Sequence, residues 1–129
     1  MRALLTEWGS GVLIRRAAGA QWEEAVAGAR QRPLDEVYGS GYVRSSVLTL
    51  SRQADPAPWP ARSPGSLHHA YLLTGSATVG PVEDAIEIEA GDFVRFPADV
   101  EHLFAARSKS CDLHLITTYP QVPQLDPGH

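Results

Sequence analysis

Punctuation constrains this chain more than any other feature. Eleven glycines and ten prolines fall among 129 residues, and the apolar runs between them are short. Spacing of that kind excludes long amphipathic helices and suits an all-β sandwich or barrel. LHHAYLLTGSATVG (67–80) reads as one long strand broken or bulged at Gly75, and PVED (81–84) as the turn after it. AIEIEAGD (85–92) alternates apolar with acidic side chains, as a half-exposed antiparallel strand does. GYVRSSVLTL (41–50), FVRFP, HLFAA and CDLHLITTYP supply further strands, and QADPAPWPARSPG (53–65) is a proline-rich loop.

The first forty residues read differently. GVLIRRA (11–17) predicts a strand, while AQWEEAVAGAR (20–30) sets Trp22, Ala25, Val26 and Ala29 at helical spacing with Pro33 as a stop. We therefore divide the chain into an N-terminal strand and short helix packing on the barrel (1–40), the barrel (41–120) and a flexible tail (121–129). A length of 129 residues suits one domain with one core.

Composition narrows the partners. The net charge is −4 and no Lys/Arg cluster exceeds a pair, so nucleic acid is not an expected partner of this chain alone. No apolar run has the length of a membrane span, and the N-terminus lacks the apolar core of a signal peptide. The single cysteine, Cys111, rules out an internal disulfide and suits a reducing cytoplasm, which is the expected location. Cys111 itself reads as a small core residue. Glu87 and Glu89, alternating with Ile86 and Ile88, mark a solvated face rather than a carboxylate pair, and Arg95 reads as exposed.

Two segments carry the chemistry: ARSPGSLHHAYLLTG (61–75) and GDFVRFPADVEH (91–102). In order and relation they resemble the two motifs of the cupin family. That resemblance implies a double-stranded β-helix, or jelly roll, around a central cavity. Counted back from Gly75, His68 falls on the family's glutamate position, and Ala61 and Ser63 fall on its two first-motif histidine positions. His102 matches the second-motif histidine, with Asp99 where glycine is usual. The resemblance thus implies an incomplete metal site, because alanine has no donor atom and serine is a poor ligand. A divalent metal (Zn, Fe, Mn or Ni) would have to rely on His68, His102 and His114.

Strand alternation points His68 inward with Ala70 and Leu72, and His69 outward. A hairpin centred on Ser108 would pair His102 with His114 across the strands, within about 5.5 Å between Cβ atoms, and put Phe104 and Asp112 on the same face. The alternative is that His114 packs on the outer face. His68, His102, His114, Phe104, Tyr71 and Trp59 are the candidate wall of a ligand cavity, with Tyr71 and Trp59 at its mouth. Each also has a plain reading as a packed core or strand residue.

The run from LLTGSATVG to HLFAA, with a later strand ending in TYP, resembles the ligand-sensing cupin domains of helix-turn-helix regulators of the XRE type. That resemblance implies binding of a small organic effector, although this chain has no room for a DNA-binding half; its Met1 start favours a free-standing protein. The other class left open is a small cupin enzyme, an isomerase, cyclase or dioxygenase, working with a reduced histidine set or by metal-free acid/base chemistry with His68 and His102. Open strand edges, with GVLIRRA unplaced in the core motifs, predict a homodimer.

Overall fold

The computed structural model describes residues 11–120. The first ten residues and the tail expected at 121–129 lie outside them. Among the described residues nine strands follow one another: β1 (Glu23–Glu24), β2 (Ala29–Tyr38), β3 (Gly41–Ser51), β4 (Leu67–Thr74), β5 (Ser76–Pro81), β6 (Ile86–Glu89), β7 (Phe93–Pro97), β8 (His102–Ala106) and β9 (Ser110–Pro120). They form a six-stranded sheet in the order β1-β2-β3-β9-β4-β7 and a three-stranded sheet in the order β6-β5-β8. Every pairing is antiparallel. The architecture is the all-β sandwich that the punctuation predicts, in the jelly-roll form that the family resemblance implies.

Alternation builds the core. Leu48 and Leu50 of β3, Ala70 and Leu72 of β4, Phe96 of β7, and Cys111, Leu113 and Leu115 of β9 turn inward from the larger sheet. Ala77, Val79, Ile88, Phe104 and Ala106 meet them from the smaller one. Each fully buried leucine contributes roughly 1.5–3 kcal/mol relative to exposure. Burial along β9 falls on every second residue, Cys111, Leu113, Leu115 and Thr117, which fixes its register against β3 and β4.

Two of the chain's passages between the sheets lie side by side. Gly75, at φ +77°, carries β4 of the large sheet into β5 of the small one. Residues 107–109 carry β8 of the small sheet into β9 of the large one. Ser108 ties the two passages together, its Oγ accepting from the Ser76 N–H at 3.0 Å while Arg107 N–H donates to the Ser76 carbonyl at 2.8 Å. PVED forms the expected turn, with a single 3-10 turn at Val82–Asp84.

The N-terminal segment departs from its sequence reading. No helix forms over residues 20–30. Gly28, at φ +85°, closes a turn in which Ala25 N–H donates to the Ala29 carbonyl (3.0 Å) and Ala29 N–H to the Val26 carbonyl (2.8 Å). A short, marginal helix cannot compete with the ladder that Ala29–Tyr38 makes along β3. Pro33 stops nothing; it sits in β2 where the pairing with β3 shifts register. GVLIRRA is not a strand either. Val12, Leu13 and Ile14 are exposed, and the segment is held by side chains, Arg15 Nε donating to the Leu34 carbonyl and Arg32 to the Arg16 carbonyl.

Candidate functional site

His68 and His102 meet inside the sandwich. His68 lies on β4 between Phe96 of β7 and Thr117 of β9, its partners in the ladder. His102 opens β8 on the opposite sheet, where a backbone bridge pairs it with Trp59 in both directions (2.7 and 3.2 Å). Both imidazoles are sealed from solvent, at 1% and 0% exposure. Their Nε2 atoms stand 3.1 Å apart.

The other two ring nitrogens settle the tautomers. His102 Nδ1 is 2.7 Å from the Val100 carbonyl, which can only accept, so Nδ1 carries the proton. Neutral His102 then accepts at Nε2, His68 Nε2–H donates to it, and His68 Nδ1 accepts from the Thr117 hydroxyl at 2.8 Å. The chain Thr117–His68–His102–Val100 is thus fully satisfied with both rings uncharged. Burial pushes His68 down to about 3, and the neighbouring His102 and Arg62 push the same way. His102 is also lowered, chiefly by burial, against the opposing bond from Val100.

Aromatic rings fill what is left of the interior. His102 stands perpendicular to Phe104 at a centroid distance of 5.5 Å, His68 packs edge-on against Phe96 at 5.5 Å, and Trp59 meets Phe104 at 5.0 Å. The central cavity expected from the sequence is occupied by these side chains; the hollow beside Trp59 and Phe104 measures about 10 Å³. Wider hollows lie on the surface, about 770 Å³ along Pro81–Asp84 and Pro97–Glu101 and about 470 Å³ beside Ile14–Gln21.

Several expected site residues belong elsewhere. His114 does not face His102, because β8 pairs with β5 and β9 returns to the other sheet between β3 and β4. It turns to the outer face and bonds Ser45 Oγ at 3.1 Å, while Asp112 bonds Thr49 there. Tyr71 shares the parity of His69, and both are on the outer face; the alternation that places His69 places Tyr71 too. Trp59 does not line a mouth but is buried against Phe104. Arg95 is exposed, and Glu87 and Glu89 lie in solvent within 3.6 and 3.8 Å of Arg107. Cys111 is a buried core thiol raised to about 11 by burial and Asp112.

The residue that the sequence reading missed is Arg62. Ala61 and Ser63, aligned with metal-ligand positions, are exposed. Arg62 between them is the part-buried one. Its charge lowers both histidines, and its Nε is buried without a hydrogen-bond partner. Its backbone is pinned, N–H to the Ala98 carbonyl at 2.7 Å. A lone arginine inside a proline-rich loop has no periodicity to reveal which way it points. Among the described residues no group of three His, Cys, Asp or Glu side chains is placed to hold a metal ion. Two imidazoles whose ring nitrogens are all engaged within the protein do not fit the donor set of a resident divalent metal.

The cupin-domain family model matches residues 48–119, from β3 to β9. The chain belongs to the cupin family. This cupin superposes on a helix-turn-helix (HTH_3) family transcriptional regulator from Vibrio cholerae with a TM-score of 0.63 and 22% identity, over 72% of this chain and 52% of the regulator. It therefore spans about half of that protein. The cupin domain of an XRE family regulator from Enterobacter cloacae gives 0.63 at 17% identity, covering 72% of this chain and 98% of the domain. The Fe(II) form of HppE gives 0.68 at 15% identity over 86% of this chain and 62% of that one. At these identities the likeness is one of fold. No curated protein matches the sequence. No helix among the described residues is long and apolar enough to cross a membrane.

Proposed function

We propose that this cupin is a small-molecule-binding module of the sensor kind, not a metal-dependent enzyme. One observation carries the reading: His68 and His102 spend all their ring nitrogens on each other, on Thr117 and on Val100. With every ring nitrogen engaged and both rings sealed from solvent, the pair offers a metal no free donor, and an organic ligand would be held by groups around it rather than by the imidazoles themselves. The regulator domains that share the fold favour the same class; the fold itself hosts enzymes as well. The ligand would meet the end of the sandwich where the 59–66 loop lies over residues 97–102, since the rings leave no room deeper inside.

Elemental analysis of untagged protein, paired with mass spectrometry of small molecules released on denaturation, tests this. Well under one equivalent of transition metal and a released organic compound are expected. The two Nε2 atoms are close enough to share one ion. A stoichiometric metal that is lost in His102→Ala would therefore replace the sensor reading with a metal-dependent one.

A further inference from the structure

Two surface features of this molecule complement each other. The first is the groove between the 3-10 turn at Val82–Asp84 and the segment before β8, whose walls are tied by Val82 N–H donating to the Glu101 carbonyl at 3.1 Å. Pro81, Val82, Pro97 and Val100 give it an apolar lining, with Val82 and Val100 exposed. Its charged lining is Glu83, Asp84 and Glu101; among the described residues no basic side chain lines it, and none of the three carboxylates is in an ion pair. The second feature is the segment 12–16, where Val12 is 98% exposed, Leu13 and Ile14 are exposed beside it, and Arg15 and Arg16 follow. Apolar then basic, the segment matches the groove in both respects.

Within one chain the two cannot meet. Arg15 Nε donates to the Leu34 carbonyl, which tethers the segment to β2. In the sheet order β2 and β7 stand four strand spacings apart, about 19 Å along the sheet. The three residues 12–14 beyond the tether span about 10 Å when fully extended. The groove of a second copy is nearer. The outer face of the large sheet is apolar from edge to edge: Val37 of β2 with its ladder partner Val43 of β3, and Tyr71 of β4 with its partner Phe93 of β7, are all exposed. A two-fold axis along the strands that packs two such faces together, about 10 Å apart, lays β2 of each copy over β7 of the other. Residues keep their level along the strands under that rotation. Asp35, next to the tethered Leu34, shares a ladder row with Ser45, Ile116, His69 and Arg95, and Arg95 is two residues from Pro97 of the groove.

We propose that two copies of this chain pair through the outer faces of their large sheets and exchange N-terminal segments, residues 12–16 of each docking in the acidic groove of the other. The two docked segments are equivalent by symmetry, so the assembly closes as a dimer. This pairing is independent of what the sandwich binds.

Sedimentation equilibrium of the full chain and of two charge-reversed variants, Arg16→Glu and the double variant Glu83→Arg with Glu101→Arg, tests the exchange. All three side chains are exposed, so both variants should keep the circular dichroism spectrum of the unsubstituted protein. Each variant alone sets like charges together at both docking sites, and its dimer dissociation constant is expected to rise by about tenfold or more. An equimolar mixture of the two should recover the dimer, because in the mixed pair each segment again meets a groove of opposite charge. A monomeric full chain, a mass that grows past the dimer with concentration, dimerisation unchanged in either variant, or a mixture that associates no more tightly than its components would each overturn the proposal.

Discussion

His68 shows how one residue can be legible in part. Alternation from Leu67 to Leu72 and the motif position both put it inside, and it is there. What could not be read was its partner. Thr117 reaches His68 only because β9 lies beside β4, a pairing across 49 residues of sequence with no local signature. The buried pair predicts a specific acid sensitivity. Unfolded, His68 titrates near 6.5; folded, it is held down to about 3, so the unfolded chain binds the extra proton between those values. The stabilising contribution is fully present above pH 6.5 and is lost as pH falls toward 3, by up to about 1.4 kcal/mol per pH unit. Urea denaturation at pH 7 and pH 5 should show a smaller loss in His68→Leu than in the unsubstituted protein. Equal losses would mean that His68 is not held neutral.

At the scale of elements, the strands from residue 41 onward were legible because turn chemistry and alternation agreed, and the first forty were not because they conflicted. Trp22, Ala25, Val26 and Ala29 satisfy a helical period by coincidence. Gly28 and the long partner β3 decide otherwise. The Ser108 hairpin failed for a similar reason: a short connection between two strands normally pairs them, but residues 107–109 pass between sheets, and no local feature of AARSKSC distinguishes the two cases. Gly75 makes that passage possible. A Cβ there would sit 2.6 Å from the Ser110 carbonyl oxygen and 2.8 Å from Cys111 Cβ, on a backbone at φ +77°. Gly75→Ala is expected to destabilise the fold by about 1–3 kcal/mol from the backbone conformation alone, with the close contacts adding to it. Thermal unfolding of that variant beside Gly91→Ala separates the two costs, since Gly91 shares a positive φ but has open space around it. Similar Tm values for both would remove the close-packing part of the argument.

For the whole molecule, the outer face of the large sheet carries Tyr71, Leu73 and Phe93 in exposed positions, with Phe93 at 61%. Apolar side chains gathered on one sheet face suit association with a second copy. Light scattering at high concentration should give a dimer mass that falls to monomer in Phe93→Glu. A strictly monomeric mass for the unsubstituted protein would end the dimer expectation. The position of β9 has a consequence for synthesis. The last strand of the described chain is not at an edge but in the middle of the large sheet, between β3 and β4. Until it leaves the ribosome, those two strands each present a bare edge with Leu48, Leu50, Ala70 and Leu72 uncovered beside it, and His68 has no Thr117 to bond. The large sheet therefore cannot close piecemeal as the chain emerges. Any nascent chain that stalls before residue 120 offers two sticky edges to its neighbours.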